Sequence, residues 1–199
     1  MRNWLFGVAI WTAAAGIAGA QPAHDPTWPC IQRKQPHLSL GQVWTGPQPD
    51  DATAAIARDP EVRRLAAYLE QRRVPMEDAE ARITEFAEDA DNQHLTALMS
   101  AVFHQIEPER SALIDGIARY GTSQQDLAKR IEARRAKMEE LEAAASPDFD
   151  AIDAEEEALD WDERIFTDRR QSLTYVCETP IILEQRAFAL GRAIASHLK

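Results

Sequence analysis

The chain has 199 residues, 45% of them hydrophobic, with 33 acidic against 22 basic side chains, five tryptophans and two cysteines. That apolar fraction is enough to bury a sizeable core and excludes a disordered chain. A net charge of −11 argues against a protein built to grip nucleic acid or an anionic membrane, since both need a positive surface. Two cysteines exclude a disulfide scaffold and an all-cysteine zinc site but allow one bridge.

Met1, Arg2 and Asn3 make a short positive start, Trp4 to Ile17 is uncharged and mostly apolar, and Ala18, Gly19 and Ala20 form a small-residue triplet. This is the layout of a secretory signal peptide over residues 1–20, with cleavage expected after Ala20. The apolar run is shorter than the roughly 20 residues that span a bilayer, so no stable membrane insertion is expected after cleavage. Removing the leader takes away one arginine and no acid, deepening the charge to about −12. The short leader points to the bacterial periplasm. In such an oxidising compartment Cys30 and Cys177 are expected to pair, tying the N-terminal segment to a late helix.

Residues 21–50 hold Pro22, Pro26, Pro29, Pro36, Pro47 and Pro49, which oppose regular helix, yet Trp28, Ile31, Leu38, Leu40, Val43 and Trp44 are too apolar for a free linker. The expectation is an extended arm lying on the rest of the protein, with Arg33 and Lys34 meeting an acidic body. Residues 51–199 are rich in strong helix formers and poor in glycine, and read as a single all-α domain. Asp59-Pro60, Ser146-Pro147 and Thr179-Pro180 each pair a good N-cap with a first-turn proline, and Val74-Pro75 marks another start. Val62, Leu65 and Leu69 line one face of a first helix, and Met76, Ala79, Ile83 and Phe86 one face of a second.

A longer stripe follows: Met99, Phe103, Ile106, Arg110, Leu113, Ile117 and Tyr120, then Gln124, Leu127, Ile131, Arg134, Met138 and Leu141. Its alternating steps of four and three are a sustained heptad pattern. Pro108 interrupts the stripe without shifting its phase, which predicts one helix continuing through it. Beyond the break at residues 146–148, Ile152, Leu159, Phe166 and Leu173 recur every seven residues, flanked by Trp161, Ile165 and Val176. Two long helices joined by a short break predict an antiparallel hairpin at about 108–177. A separate last helix is expected from Pro180, with Ala187, Gly191 and Ala195 letting a neighbour approach closely. The fold class read from the sequence is therefore all-α: a helical bundle with a long coiled-coil-like hairpin and an extended Pro-rich arm.

The sequence offers little for catalysis. No Gly-x-Ser-x-Gly, glycine-rich phosphate loop or helical pair of histidines occurs, and no cofactor is expected. Clustered carboxylates at Asp148, Asp150, Asp153, Glu156 and Asp160 make a weak cation-binding alternative, although Ile152 and Asp153 break the EF-hand pattern. The more informative residues are in the seam. Arg110, Gln124 and Arg134 are polar where a partner helix should lie, and Asp162, Glu163 and Glu156 are candidate acids for them. The expectation is a non-enzymatic helical interaction protein serving another envelope protein through this seam, with heptads that also permit self-association.

Overall fold

The computed structural model describes residue 25 and residues 27–199. The leader and Pro22, His24 and Pro26 lie outside the described residues, which form six helices and no strand. These are α1 (Leu40–Val43), α2 (Asp51–Ile56), α3 (Pro60–Leu69), α4 (Met76–Asp89), α5 (Asn92–Glu142) and α6 (Phe149–Ala195). Helix α5 has 51 residues and α6 has 47, so each is about 70–75 Å long at 1.5 Å per residue. They pair antiparallel along nearly their whole length, and the four short helices wrap the end that holds the chain termini of the pair.

Local chemistry sets the helix starts. Asp59 accepts a hydrogen bond from the Glu61 N–H with Pro60 at the first helical position, as the sequence predicts. Asp50 caps α2 reciprocally with Thr53, and Asp91 caps α5 by accepting from His94 N at 2.9 Å. The second long helix starts two residues later than expected. Asp148, not Ser146, is its N-cap, and it accepts from Ala151 N at 3.2 Å.

Both interior prolines are carried inside helices. Pro108 lies within α5, in line with the unbroken phase of the stripe. Pro180 lies within α6, which corrects the expectation of a separate last helix. A proline removes one N–H and crowds the carbonyl four residues earlier, so such a helix needs outside partners for its backbone. The carbonyl that loses its helical donor to Pro180 is that of Val176. The carbonyls on either side of it are tied by side chains, Cys177 O by Gln32 Nε2 of the arm at 2.5 Å and Tyr175 O by Thr179 Oγ1 of the same helix at 3.2 Å. Pro180 itself is buried against the arm side of the pair, where tertiary packing outweighs the preference to start afresh.

The main core sits at the base. Leu95 to Val102 is a continuous buried run in α5, because α2 and α3 cover one side of that helix and α6 the other. Leu69, Ile83, Leu95, Leu98, Met99, Ile106, Leu183, Leu190 and Ile194 are its largest fully buried side chains. The stripe assignments for the short helices fit this packing: Val62, Leu69, Ala79 and Ile83 are buried, while Leu65, Met76 and Phe86 pack at its margin.

The arm is less extended than its prolines suggest, since Leu40–Val43 form one helical turn opened by a capping box between Ser39 and Gln42. Of its apolar residues Trp28, Leu38, Val43 and Trp44 are buried and Leu40 is half-buried as expected, whereas Ile31, beside the bridge at Cys30, is fully exposed and does not lie on the body. Lys34 differs from expectation: it pairs with Asp25 of the same arm at 2.8 Å rather than with the body. That contact and the Thr27 hydroxyl lower the Asp25 pKa to about 2.

Two glycines mark where the arm presses on the long helices. A Cβ on Gly191 would collide with the Val43 carbonyl oxygen, and one on Gly121 would collide with the Thr27 carbonyl oxygen. The small-residue stripe at Ala187, Gly191 and Ala195 thus receives α1 as well as the side of α5 that carries Met99. Gly121→Ala should lower stability by about 1–3 kcal/mol, because backbone rather than a flexible side chain must move. Urea unfolding reads this directly, and an unchanged midpoint would show that the arm shifts freely.

Candidate functional site

The α5/α6 pair is organised by one antiparallel register. Arg110 Nη2 reaches Glu184 at 3.3 Å, the Tyr120 hydroxyl donates to Arg169 O at 3.1 Å, and Gln124 Nε2 donates to Phe166 O at 3.3 Å. Further out, Arg134 Nη1 meets Glu155 at 2.7 Å. As the α5 residue number rises, the α6 partner number falls in step, so the hairpin runs well past residues 108 and 177 toward both chain ends.

Of the predicted seam residues, Arg110, Gln124, Leu127 and Ile131 are buried, and Met138, Ile152, Leu159, Phe166 and Leu173 are half-buried. Burial falls toward the turn, as it must where two helices have only each other to pack against. Trp161 does not flank the seam. It is 61% exposed on the outer face of α6, because the Asp162 position next to it is the one that turns inward.

The three polar seam positions have separate roles. Arg110, 3% exposed, donates to Gln35 O at 3.0 Å as well as to Glu184, so it fastens the arm and meets an acid of α6 other than the expected Asp162, Glu163 or Glu156. Gln124 bonds the α6 backbone, and its own Oε1 is buried without a partner. Arg134 meets an acid, as expected of it, through Asp162 at 2.9 Å. The structure adds Arg130, whose Nε and Nη2 grip both Asp162 oxygens at 2.8 and 2.7 Å. Arg135 takes Glu163 at 2.7 Å, and Glu156 faces outward, away from this group. Arg130 lies four residues before Arg134, one helical turn away on the same face. That spacing was the sequence signal for it, outside the heptad stripe.

Asp162 is the centre of this network and is only 4% exposed. Hydrogen bonds from Arg130 first, with Arg134 adding to them, hold its carboxyl below the usual range against the opposing effect of burial. Asp162→Ala should cost about 2 kcal/mol at neutral pH. This lies below the roughly 3–5 kcal/mol of a fully buried pair, since both arginines keep contact with water. A folded pKa below the unfolded one makes the stabilisation complete above about pH 4, with loss as the pH falls through the lowered value. The wild-type advantage over Asp162→Ala, read by urea unfolding, should therefore shrink in acid; equal stability of the two at pH 7 would contradict it.

The arm locks the hairpin at mid-length. Cys30 and Cys177 form the disulfide expected from the sequence, with 5.7 Å between their Cα atoms. Around it Trp28, Cys30, Ile114 and Ile117 form a second small core, with Val176 packed alongside. The Trp28 indole N–H donates to Gln32 O at 2.6 Å, which closes the arm into a compact turn over the bridge.

The acids offered as a cation site are spread along the outside of α6. Asp148 is spent on the helix cap and Asp150 is exposed, while Asp153, Glu156 and Asp160 line a shallow hollow beside Trp161. Among the described residues no group of three or more His, Cys, Asp or Glu side chains is placed to hold a metal ion. Nor is any helix among them long and apolar enough to cross a membrane. Compared with protein-family models, curated proteins and solved structures, the chain matches none.

Proposed function

We propose that the protein is an exported, periplasmic, non-enzymatic adaptor or assembly factor that presents its α5/α6 hairpin to another envelope protein. The carrying observation is the outer half of the hairpin. Beyond Gly121 the pair extends for roughly 30 Å away from the arm and the base, held in one register by the Arg130, Arg134, Asp162 and Glu155 network. A two-helix arm of this kind adds no core to the base, whereas it does place side chains far from it, which suits docking. Export is supported by the leader-like residues 1–20 and by a disulfide, since such bridges persist in oxidising compartments.

Removing two heptads from each helix, residues 125–138 and 152–165, keeps the seam in phase and leaves the base and the bridge intact. Crosslinking in cells that produce the protein should then lose a partner that the full-length chain captures, at unchanged thermal stability of the base. Identical partner lists would overturn the hairpin as the docking element. Amino-terminal sequencing of the exported chain should begin at Gln21; retention of residues 1–20 on a cytoplasmic protein would overturn the address.

A further inference from the structure

A second surface lies on the base, independent of the hairpin reading. Between α2, α3 and α5 runs a groove of about 870 Å³. Its floor is small and apolar, made by Ala54, Ala57, Ala67 and Ala101. Its rim carries Arg58, Arg63 and Arg64, all exposed, with His104 on the α5 side. No acidic residue lines it, in a chain where acids outnumber bases by 33 to 22.

Every acidic residue of this chain lies among the described residues, and none forms an ion pair with Arg58, Arg63 or Arg64. Among the described residues five other arginines are matched, Arg82 with Glu85, Arg110 with Glu184, Arg130 and Arg134 with Asp162, and Arg135 with Glu163, while Arg33, Arg72, Arg119, Arg164, Arg169, Arg170 and Arg192 also form no ion pair. What sets the groove apart is that three arginines share one lining without an acid. The nearest acids in sequence, Asp59 and Glu61, are outside its lining and border the adjoining hollow beside Phe86 and His94, which Arg58 also reaches. Three guanidiniums around an alanine floor, with no acid in the lining, are a local inversion of the molecule's charge.

We propose that this groove binds an acidic amphipathic helix of a partner protein. Alanines let a helix backbone come close, because the distance between packed helices is set by the side chains at the contact. Arginine offers paired N–H donors that match carboxylates, and acids three or four residues apart on a helix face would meet successive rim positions. A nucleic acid is a poorer occupant. Three cations on a body carrying a charge of −11 would release few counterions and would repel the remaining phosphates.

The test uses the disulfide-bonded chain 21–199 and a fluorescein-labelled helical peptide with glutamates at i and i+4 on one face and alanine and leucine on the other. Fluorescence anisotropy should show saturable binding that weakens at least tenfold when Arg63→Glu and Arg64→Glu are combined. Arg169→Glu with Arg170→Glu makes the same charge change on α6 and should leave it within twofold. Circular dichroism of the exposed-site variants should match the parent. A peptide of equal charge whose helix is broken by proline should bind at least tenfold more weakly. The proposal is overturned by absence of saturable binding, by equal binding to the Arg63/Arg64 variant, or by equal binding of the proline peptide. Complete competition by millimolar inorganic phosphate would likewise overturn it, leaving a simple anion site.

Discussion

Replacing Cys30 and Cys177 together by serine is expected to lower unfolding free energy by up to about 5 kcal/mol, the largest effect of any change considered for this chain. The two residues are 147 positions apart, so the bridge removes a very long loop from the freedom of the unfolded chain. The native side contributes too. Trp28 packs with Ile114 and Ile117 only while the arm lies across α5, and Gln32 reaches the Cys177 carbonyl only from that position. Guanidinium unfolding of the oxidised protein, the reduced protein and the double variant separates these contributions. The reduced and double-serine proteins should unfold at nearly the same lowered midpoint, with helix content retained below it. A shift under about 1 kcal/mol would mean that noncovalent contacts alone seat the arm, which would also weaken the case that the protein needs an oxidising compartment.

Arg186→Ala should follow, with a loss of about 3 kcal/mol. Arg186 is 8% exposed inside the base, donating through Nε to Leu69 O at 2.7 Å and through Nη1 to Val74 O at 3.0 Å. Those carbonyls belong to the last residue of α3 and to the turn that leads into α4, so one side chain of α6 fixes the junction of two short helices. Burial pushes the guanidinium pKa down, yet an arginine starts so high that it stays charged at neutral pH. A positive charge at the end of α3 is also favourable to its dipole. Removing the side chain strands two buried carbonyls and leaves a cavity. Arg186→Met, which keeps much of the volume, should lose roughly 2 kcal/mol and so isolate the hydrogen-bonding share. Urea unfolding of both variants checks this. A loss below about 0.5 kcal/mol for Arg186→Ala would show that water replaces the guanidinium without penalty.

The readable parts of this fold are those governed by local or periodic chemistry. Asp59 before Pro60 fixed the start of α3 because cap and proline act within a few residues of each other. The seven-residue spacing of Ile152, Leu159, Phe166 and Leu173 identified the inner face of α6 because heptad period and helix geometry are linked. Pro180 could not be read in this way. The same Thr-Pro pair that opens a helix in isolation lies mid-helix here, because α5 and the arm cover it and Gln32 serves the Cys177 carbonyl beside it. Arg130 was missed and Trp161 misplaced for a related reason. The hairpin acid that turns inward is Asp162, and in a chain so rich in carboxylates nothing local distinguishes it from Asp160 or Glu163.

Composition, caps and periodicity, which depend on neighbours along the chain, by themselves determined an all-α protein with two long heptad-bearing helices, and the cysteine pair was inferred from the leader-like start. Three-dimensional packing decided the rest. It settled that α6 is one helix of 47 residues, that Arg186 joins α3 to α4, and that three arginines and four alanines from separate segments border one groove. These features rest on contacts between residues far apart in sequence. Their energies come from burial and from pairing buried polar groups, which no local pattern encodes.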